Sequence, residues 1–342
     1  MPRQCLITAP GRLELRELPE PQPGPHQVKV RIEHAAAKHG TEMAFYQGYF
    51  GQRGVYDAEY HLFRKDRKAD PYPFGAGNMA VGVVEVVGPE VTRLKEGDRV
   101  FHFSSFRDVA VWPDTVRVLP EGVSWKAAVC LDPADFALGA LRDGHVRIGD
   151  AVAVFGLGAI GQMAVQLAGL AGADAVIGVD LYELRRGVAA RCGADLVLDP
   201  RQEDAPLRIK EETGRRGADV CIDFSGSDAG LHGAIRAVAY GGTVVAGSFP
   251  KPGAPALDLG AEAHMNRPTI VFSRACSEPN PDHPRWDEPR LMDCCWRMLR
   301  EGLLRCDDVV QPVVPFERIL EEYPKIDSEP GKNLKLGVEF EA

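Results

Sequence analysis

Residues 151–161 read Ala151-Val152-Ala153-Val154-Phe155-Gly156-Leu157-Gly158-Ala159-Ile160-Gly161, and this stretch decides the fold. Five apolar residues form a candidate buried strand, the glycines follow as GxGxxG, and AIGQMAVQLAGLAG continues as a helix of small residues. Strand, turn and helix therefore arrive in the order that a dinucleotide-binding turn requires. Gly156 allows the tight turn, Gly158 lets the backbone approach a pyrophosphate, and Gly161 permits close helix–strand packing. The helix start at Ala159 and Ile160 offers phosphates its N–H groups and the positive end of its dipole.

Toward the C-terminus the same alternation repeats: AVIGVD (175–180), the helix YELRRGVAARCG (182–193), LVLDP (196–200), ADVCIDFSG (218–226) and GGTVVAGS (241–248). Short apolar runs alternating with helical periodicity indicate βαβ units and a parallel sheet. The expectation is α/β, with a Rossmann doubly wound sheet over 149–274. Asp180 closes the second strand at the spacing, about 20 residues after the turn, where a carboxylate accepts bonds from the adenosine ribose. A carboxylate there repels a 2′-phosphate, so NAD is expected rather than NADP, with Arg185 and Arg186 as the reservation. Ser225, after the fourth strand, completes the expected cofactor contacts.

Toward the N-terminus the pattern is β-rich. VKVRIEH (28–34) puts Val28, Val30 and Ile32 on one face, and MAVGVVEVVG (79–88), GDRVFHF (97–103) and DVAVW (108–112) follow at the turn spacing of an all-β unit. After IVFSR (270–274) comes an irregular SEPNPDHPRWDEP, then a helix near 288–302 and a terminal strand in NLKLGVEF (333–340). This tail is too small for a third domain and is expected to pack on the first.

Over the whole chain of 342 residues, 45% are hydrophobic and 26% charged, as in ordinary globular proteins. Lys+Arg 40 against Asp+Glu 49 leaves a net charge of −9, which argues against a nucleic-acid partner. No apolar run reaches the roughly 20 residues of a membrane helix, and the first residues lack a signal-peptide layout, so a cytoplasmic protein with no membrane partner is expected. Cys5, Cys130, Cys192, Cys221, Cys276, Cys294, Cys295 and Cys306 show no CxxC spacing and are expected to be mostly reduced core thiols.

The stretches VGVVEVVGPEVTRLKEGDRV (81–100), LPEGVSWKAA (119–128) and GLGAIG (156–161), with the β-rich start and the returning C-terminal segment, resemble the medium-chain dehydrogenase/reductase superfamily over nearly the whole chain. The resemblance implies a GroES-like catalytic domain over 1–148 and 275–342, with the active site in the cleft beside the dinucleotide domain. It also implies a homodimer or homotetramer, paired through the apolar segment RPTIVFSR (267–274). Zinc-dependent members carry a GxCGTD-like stretch, a GHE and a third ligand. At those places this chain has His39 in Ala37-Lys38-His39-Gly40-Thr41-Glu42, Asn78 in Gly77-Asn78-Met79, and Asp132. An Asn amide is a poor zinc donor, so no catalytic metal is expected, and no cysteine lies in 97–112 to build a structural zinc lobe. In the reserve sit Asp57, Glu59 and His61, which could supply a missing donor. The GTE wording is most similar to the subgroup resembling bacteriochlorophyllide a dehydrogenase.

Without zinc, alcohol oxidation needs a proton acceptor. His39 and Lys38 are the candidates. Thr41 matches the relay hydroxyl of alcohol dehydrogenases, although Ala44 stands where the relay histidine usually follows, and Asp132 could orient His39, bind substrate or cap a helix. The long connection 46–73 mixes aromatics with Arg64, Lys65, Arg67 and Lys68. Tyr46 and Tyr49 suit stacking on a sugar ring, Arg64 an anionic group, and Asn78 a substrate hydroxyl. The expected activity is NAD-dependent hydride transfer to or from a small-molecule secondary alcohol or ketone, such as a sugar or cyclitol. The alternatives are a zincless quinone or enoyl-type reductase and a non-catalytic dinucleotide-binding regulator.

Overall fold

A computed structural model describes residues 1–67, 69–252, 257–274 and 284–341. Lys68 and Cys276 lie outside the described residues. The chain packs as two compact units, Met1–Val129 with Val310–Ala342, and Cys130–Val309.

The first unit is built on the strand Gln27–Ala36. One of its edges pairs antiparallel with Met79–Val87; the other pairs with Val109–Pro113 and then with Gly337–Glu339. Alternation places Val28, Val30 and Ile32 in the core with Phe106, Trp112 and Phe316. Each such side chain contributes about 1.5–3 kcal/mol by leaving water. A smaller sheet pairs Arg3–Ala9 with Arg12–Glu17 and Phe74–Gly75. The helix His39–Tyr46 follows the central strand directly.

In the second unit the described strands form a parallel sheet in the order Leu196–Leu198, Ala175–Val179, Ala151–Phe155, Ala218–Asp223, Val238–Ala246, Thr269–Phe272. Ala151–Phe155 is buried along its whole length, as a strand covered on both faces must be. The strand order reverses on either side of it. Ligands of open α/β sheets bind at such a switch point, beyond the carboxyl ends of the strands.

The expected division at 148 and 275 differs from the packing. The helix Leu131–Asp143 lies against both Ala159–Leu170 and Glu288–Arg300, all within the second unit. Glu288–Arg300 presents Leu291, Cys295, Trp296, Met298 and Leu299 as one buried stripe, and Asp287 caps it by accepting from Arg290 N at 2.9 Å. An amphipathic helix joins whichever surface buries that stripe. Of the C-terminal tail, only the part from Val310 onward joins the first unit.

Candidate functional site

The glycine turn closes the strand Ala151–Phe155 at the switch point. Gly156 has φ +86°, and a Cβ there would stand 2.4 Å from Ser225 N, so neither the conformation nor the space admits a side chain. A Cβ on Gly161 would come within 2.0 Å of Gly156 O. Gly158 differs from both: it caps the helix Ala159–Leu170 in an extended conformation, and nothing lies within 4 Å of an added Cβ. Its open face is a cradle that a side chain would fill. The first intrahelical bond runs from Gln162 N to Gly158 O at 2.9 Å, so the amides of Ala159, Ile160 and Gly161 lie in the turn where a helix offers no internal acceptor.

Asp180 is buried beside this turn. Its Oδ2 accepts from Leu157 N at 2.7 Å and its Oδ1 from Tyr182 N at 2.8 Å. A carboxylate offers about four lone-pair sites, so two remain for a ribose diol. Arg185 stacks on the Tyr182 ring at 4.9 Å with Nη1 3.8 Å from Asp180 Oδ2. Arg186 donates to Asp180 O at 2.8 Å and faces Asp199 at 3.2 Å. These contacts engage both arginines that were the reservation about NAD. Ser225 lies against the turn through its backbone, while its Oγ accepts from Ser227 N at 3.1 Å. Sequence reading missed Asp223, a buried acid aligned with Phe155 across the switch point. Its Oδ1 accepts from Ser225 N at 3.1 Å and its Oδ2 from Ser248 Oγ at 3.0 Å, while burial pushes its carboxyl up. The signal was an aspartate ending an apolar run, the same signal that identified Asp180.

In the first unit the candidates cluster around the start of the helix His39–Tyr46. Lys38 is its N-cap residue, and Thr41 is exposed on its first turn. His39 Nε2 accepts from Leu336 N at 2.9 Å, so that nitrogen is engaged by the main chain, which counts against His39 as the proton acceptor. Asn78 is fixed by its backbone, donating to Ala36 O at 3.0 Å and accepting from Ser104 N at 2.9 Å, while its side-chain Oδ1 is buried with no hydrogen-bond partner. Glu42, unassigned from sequence, is 2% exposed. Its carboxylate accepts from Lys38 N, from Gly77 N at 2.8 Å and from the Tyr323 hydroxyl at 2.8 Å. Burial pushes this carboxyl up, opposed by those three donors and by Lys335.

The remaining candidates fall elsewhere. Asp132 is buried in the first turn of Leu131–Asp143, in the second unit; the N-cap of that helix is Cys130, so Asp132 does not cap it. Tyr49 is a core residue whose phenol is pushed up by burial, and Tyr46 is half-buried, edge-on to Tyr323 at 5.7 Å. Arg64 pairs with Asp66 at 2.6 Å, with Asp57 at 3.6 Å. Tyr56, Tyr60 and Phe63, on or beside the hairpin Val55–Asp57/Leu62–Arg64, are exposed instead.

The donors at the zinc-ligand positions of the first unit do not fit zinc. His39 Nε2 is occupied by a peptide N–H, Asn78 is an amide and Met79 is buried in the core. Asp57, of the reserve set, accepts from Glu59 N at 3.1 Å and Tyr60 N at 3.2 Å. Among the described residues no group of three or more His, Cys, Asp or Glu is placed to hold a metal ion. The described cysteines are all free thiols, most of them buried.

Two family models match the chain: an alcohol dehydrogenase GroES-like domain over residues 24–110, and a zinc-binding dehydrogenase over residues 159–289. The chain is 42% identical to D-guloside 3-dehydrogenase of Escherichia coli (strain K12), over 99% of this chain and 100% of the relative. It is 28% identical to sorbitol dehydrogenase of Homo sapiens, over 70% and 72% of the two chains. Its fold is similar to 2R,3R-butanediol dehydrogenase from Bacillus subtilis, with a TM-score of 0.77, 21% identity and 99% of each chain covered.

Proposed function

Because this chain belongs to the medium-chain dehydrogenase/reductase superfamily and is a dehydrogenase, we propose that it moves a hydride between NAD and one secondary hydroxyl of a sugar, glycoside or cyclitol, without zinc. The observation that carries the substrate class is the end-to-end similarity to a D-guloside 3-dehydrogenase. Support for the dinucleotide comes from the open face of Gly158, the unbonded first-turn amides and the buried Asp180. The zinc-binding model matches by sequence, yet the donors of the first unit are poor ones, and the reading routes no step through a metal.

The bound dinucleotide supplies the hydride acceptor. As the alcohol carbon gives up hydride its hydroxyl gives up a proton, yielding a ketone, reduced dinucleotide and one proton. Lys38 takes that proton in this reading, because His39 Nε2 already accepts from Leu336 N. Asn78 Oδ1 accepts from a second substrate hydroxyl, which would relieve the cost of a buried unpaired acceptor. Thr41, exposed one turn on, is the candidate relay hydroxyl. Asp180 discriminates against a 2′-phosphate.

A homodimer or homotetramer fits the edge strand Thr269–Phe272, where Phe272 is 81% exposed. Light scattering that gave a monomer mass at micromolar concentration would count against it. No helix among the described residues is long and apolar enough to cross a membrane, in keeping with a cytoplasmic enzyme.

The test is a panel of sugars, glycosides and cyclitols, with quinones and enoyl compounds beside them, incubated with NAD or NADP in metal-analysed protein. Formation of reduced NAD with a keto-sugar product, insensitive to a chelator, is expected. Turnover confined to quinones or enoyl compounds, or dinucleotide binding with no turnover of any substrate, would refute the substrate class. One zinc per chain with activity lost to the chelator would refute the metal-free chemistry.

A further inference from the structure

Three parts of the first unit that are remote in sequence meet at one buried side chain. Glu42 takes the main-chain N–H of Lys38, four residues back, that of Gly77, 35 residues on, and the hydroxyl of Tyr323, 281 residues on. We propose that Glu42 is a positioning residue whose carboxylate holds the Lys38–His39 segment and the Gly77–Asn78 segment in fixed register, so that Lys38 and Asn78 address the same substrate.

Each segment needs such a fixed point. Gly77 has φ +105°, and a Cβ there would lie 2.5 Å from Phe106 N, so this loop follows a path open only to glycine, with its N–H directed at Glu42. The Lys38 side is clamped from several directions. Lys335, 2% exposed, donates Nζ to Ala37 O at 2.7 Å, and its neighbour Leu336 donates its N–H to His39 Nε2 at 2.9 Å. Lys335 also provides positive charge that favours the Glu42 carboxylate. A buried carboxylate is costly unless its lone pairs meet donors, and charge-assisted bonds to main-chain amides are directional. What this arrangement gains over an apolar residue of similar volume is therefore geometry. Among the described residues no group of three or more His, Cys, Asp or Glu is placed to hold a metal ion, and the Glu42 carboxylate bonds both segments. Proximity makes such a pin kinetically visible, since a misplacement of about 1 Å can cost roughly 100-fold in rate.

The inference rests on the metal-free reading above. It is tested with Glu42→Gln, which preserves volume but puts an NH2 group where an acceptor stood, facing the N–H of either Lys38 or Gly77. In protein shown to be metal-free, turnover of the sugar substrate should fall about 10-fold or more, with a cooperative melt retained and NADH affinity within about twofold of wild type. Combined with Asn78→Ala, the loss should be clearly less than the product of the single losses, because both changes disable one arrangement. Tyr323→Phe keeps both amide donors and the ring, and should cost only a few-fold in turnover, again less than multiplicatively with Asn78→Ala. That variant decides the matter if Glu42→Gln does not fold. Wild-type turnover and KM in metal-free Glu42→Gln, or fully multiplicative double variants, would overturn the positioning role. Stoichiometric zinc that activity requires would instead overturn the metal-free reading, and with it the need for a carboxylate pin.

Discussion

Replacing Gly158 by alanine separates the binding role of the glycine turn from its structural role. No heavy atom lies within 4 Å of a Cβ at this position, and φ −67°, ψ −172° is open to alanine. Alanine is a poorer N-cap than glycine by about 1 kcal/mol, but it also stiffens the unfolded chain, which returns about 0.4–1 kcal/mol. The melting temperature should therefore move little. The added methyl instead occupies the space in which a pyrophosphate would meet the first-turn amides. Losing one charge-assisted bond there costs about 1.5–3 kcal/mol, which at 1.4 kcal/mol per tenfold is roughly 10- to 150-fold in the dissociation constant for NADH. Gly161→Ala provides the contrast. Its Cβ would stand 2.0 Å from the Gly156 carbonyl, backbone against backbone, so the turn must open. Overpacking of that kind costs about 1–3 kcal/mol and should lower the melting temperature as well as the affinity. NADH titration by fluorescence and a thermal melt on each variant supply both readings. A Gly158→Ala protein that binds NADH like wild type, or that melts several degrees lower, would refute the assignment of that open face to a ligand.

Asp180→Asn should weaken NADH by about tenfold while leaving NADPH unchanged or improved, read as the ratio of kcat/KM for the two cofactors; an unchanged ratio would remove Asp180 as the discriminator. His39→Ala should lose about 1 kcal/mol of stability with its hydrogen bond yet retain turnover within a few-fold, whereas Lys38→Met should lose turnover by about 100-fold or more; the opposite ranking would return the proton to His39. Burial raises Glu42, so the folded chain holds that proton more tightly than the unfolded one. This contribution to stability is fully present below the ordinary carboxylate pKa of about 4.3 and is lost as pH rises through the folded value. The wild-type advantage in melting temperature over Glu42→Gln should accordingly shrink as pH rises above the ordinary carboxylate range, and a difference independent of pH would contradict the shift.

The dinucleotide unit was legible in the sequence because its signals are local. A strand buried on both faces must be a short apolar run, a turn that excludes Cβ atoms must use glycine, and both lie within 151–161. The unit boundary was not legible, because Leu131–Asp143 is assigned by the surface it buries against Ala159–Leu170 and not by its own periodicity. The same limit applies to the surroundings of the candidate residues. Arg64 offered a cation for an anionic substrate, but the sequence also supplied Asp66 two residues away, and the nearer carboxylate took it at 2.6 Å. Tyr49 offered a ring for a sugar, but its place after the helix His39–Tyr46 turned it into the core.

Glu42 shows the converse case, in which a residue with no distinctive local context acquires its role from partners 35 and 281 residues away. A charged residue in the first turns of a short helix ordinarily faces water, where it favours the helix dipole and nothing more. Here the chain returns through Gly77 and Tyr323 to cover it, and burial of that carboxylate is tolerable only because each approaching segment brings a donor. That burial and those three donors arise together from tertiary contact. Residue type and spacing could therefore single out Lys38, His39 and Asn78 as candidates, while the three partners of Glu42 became visible only when the segments were brought together.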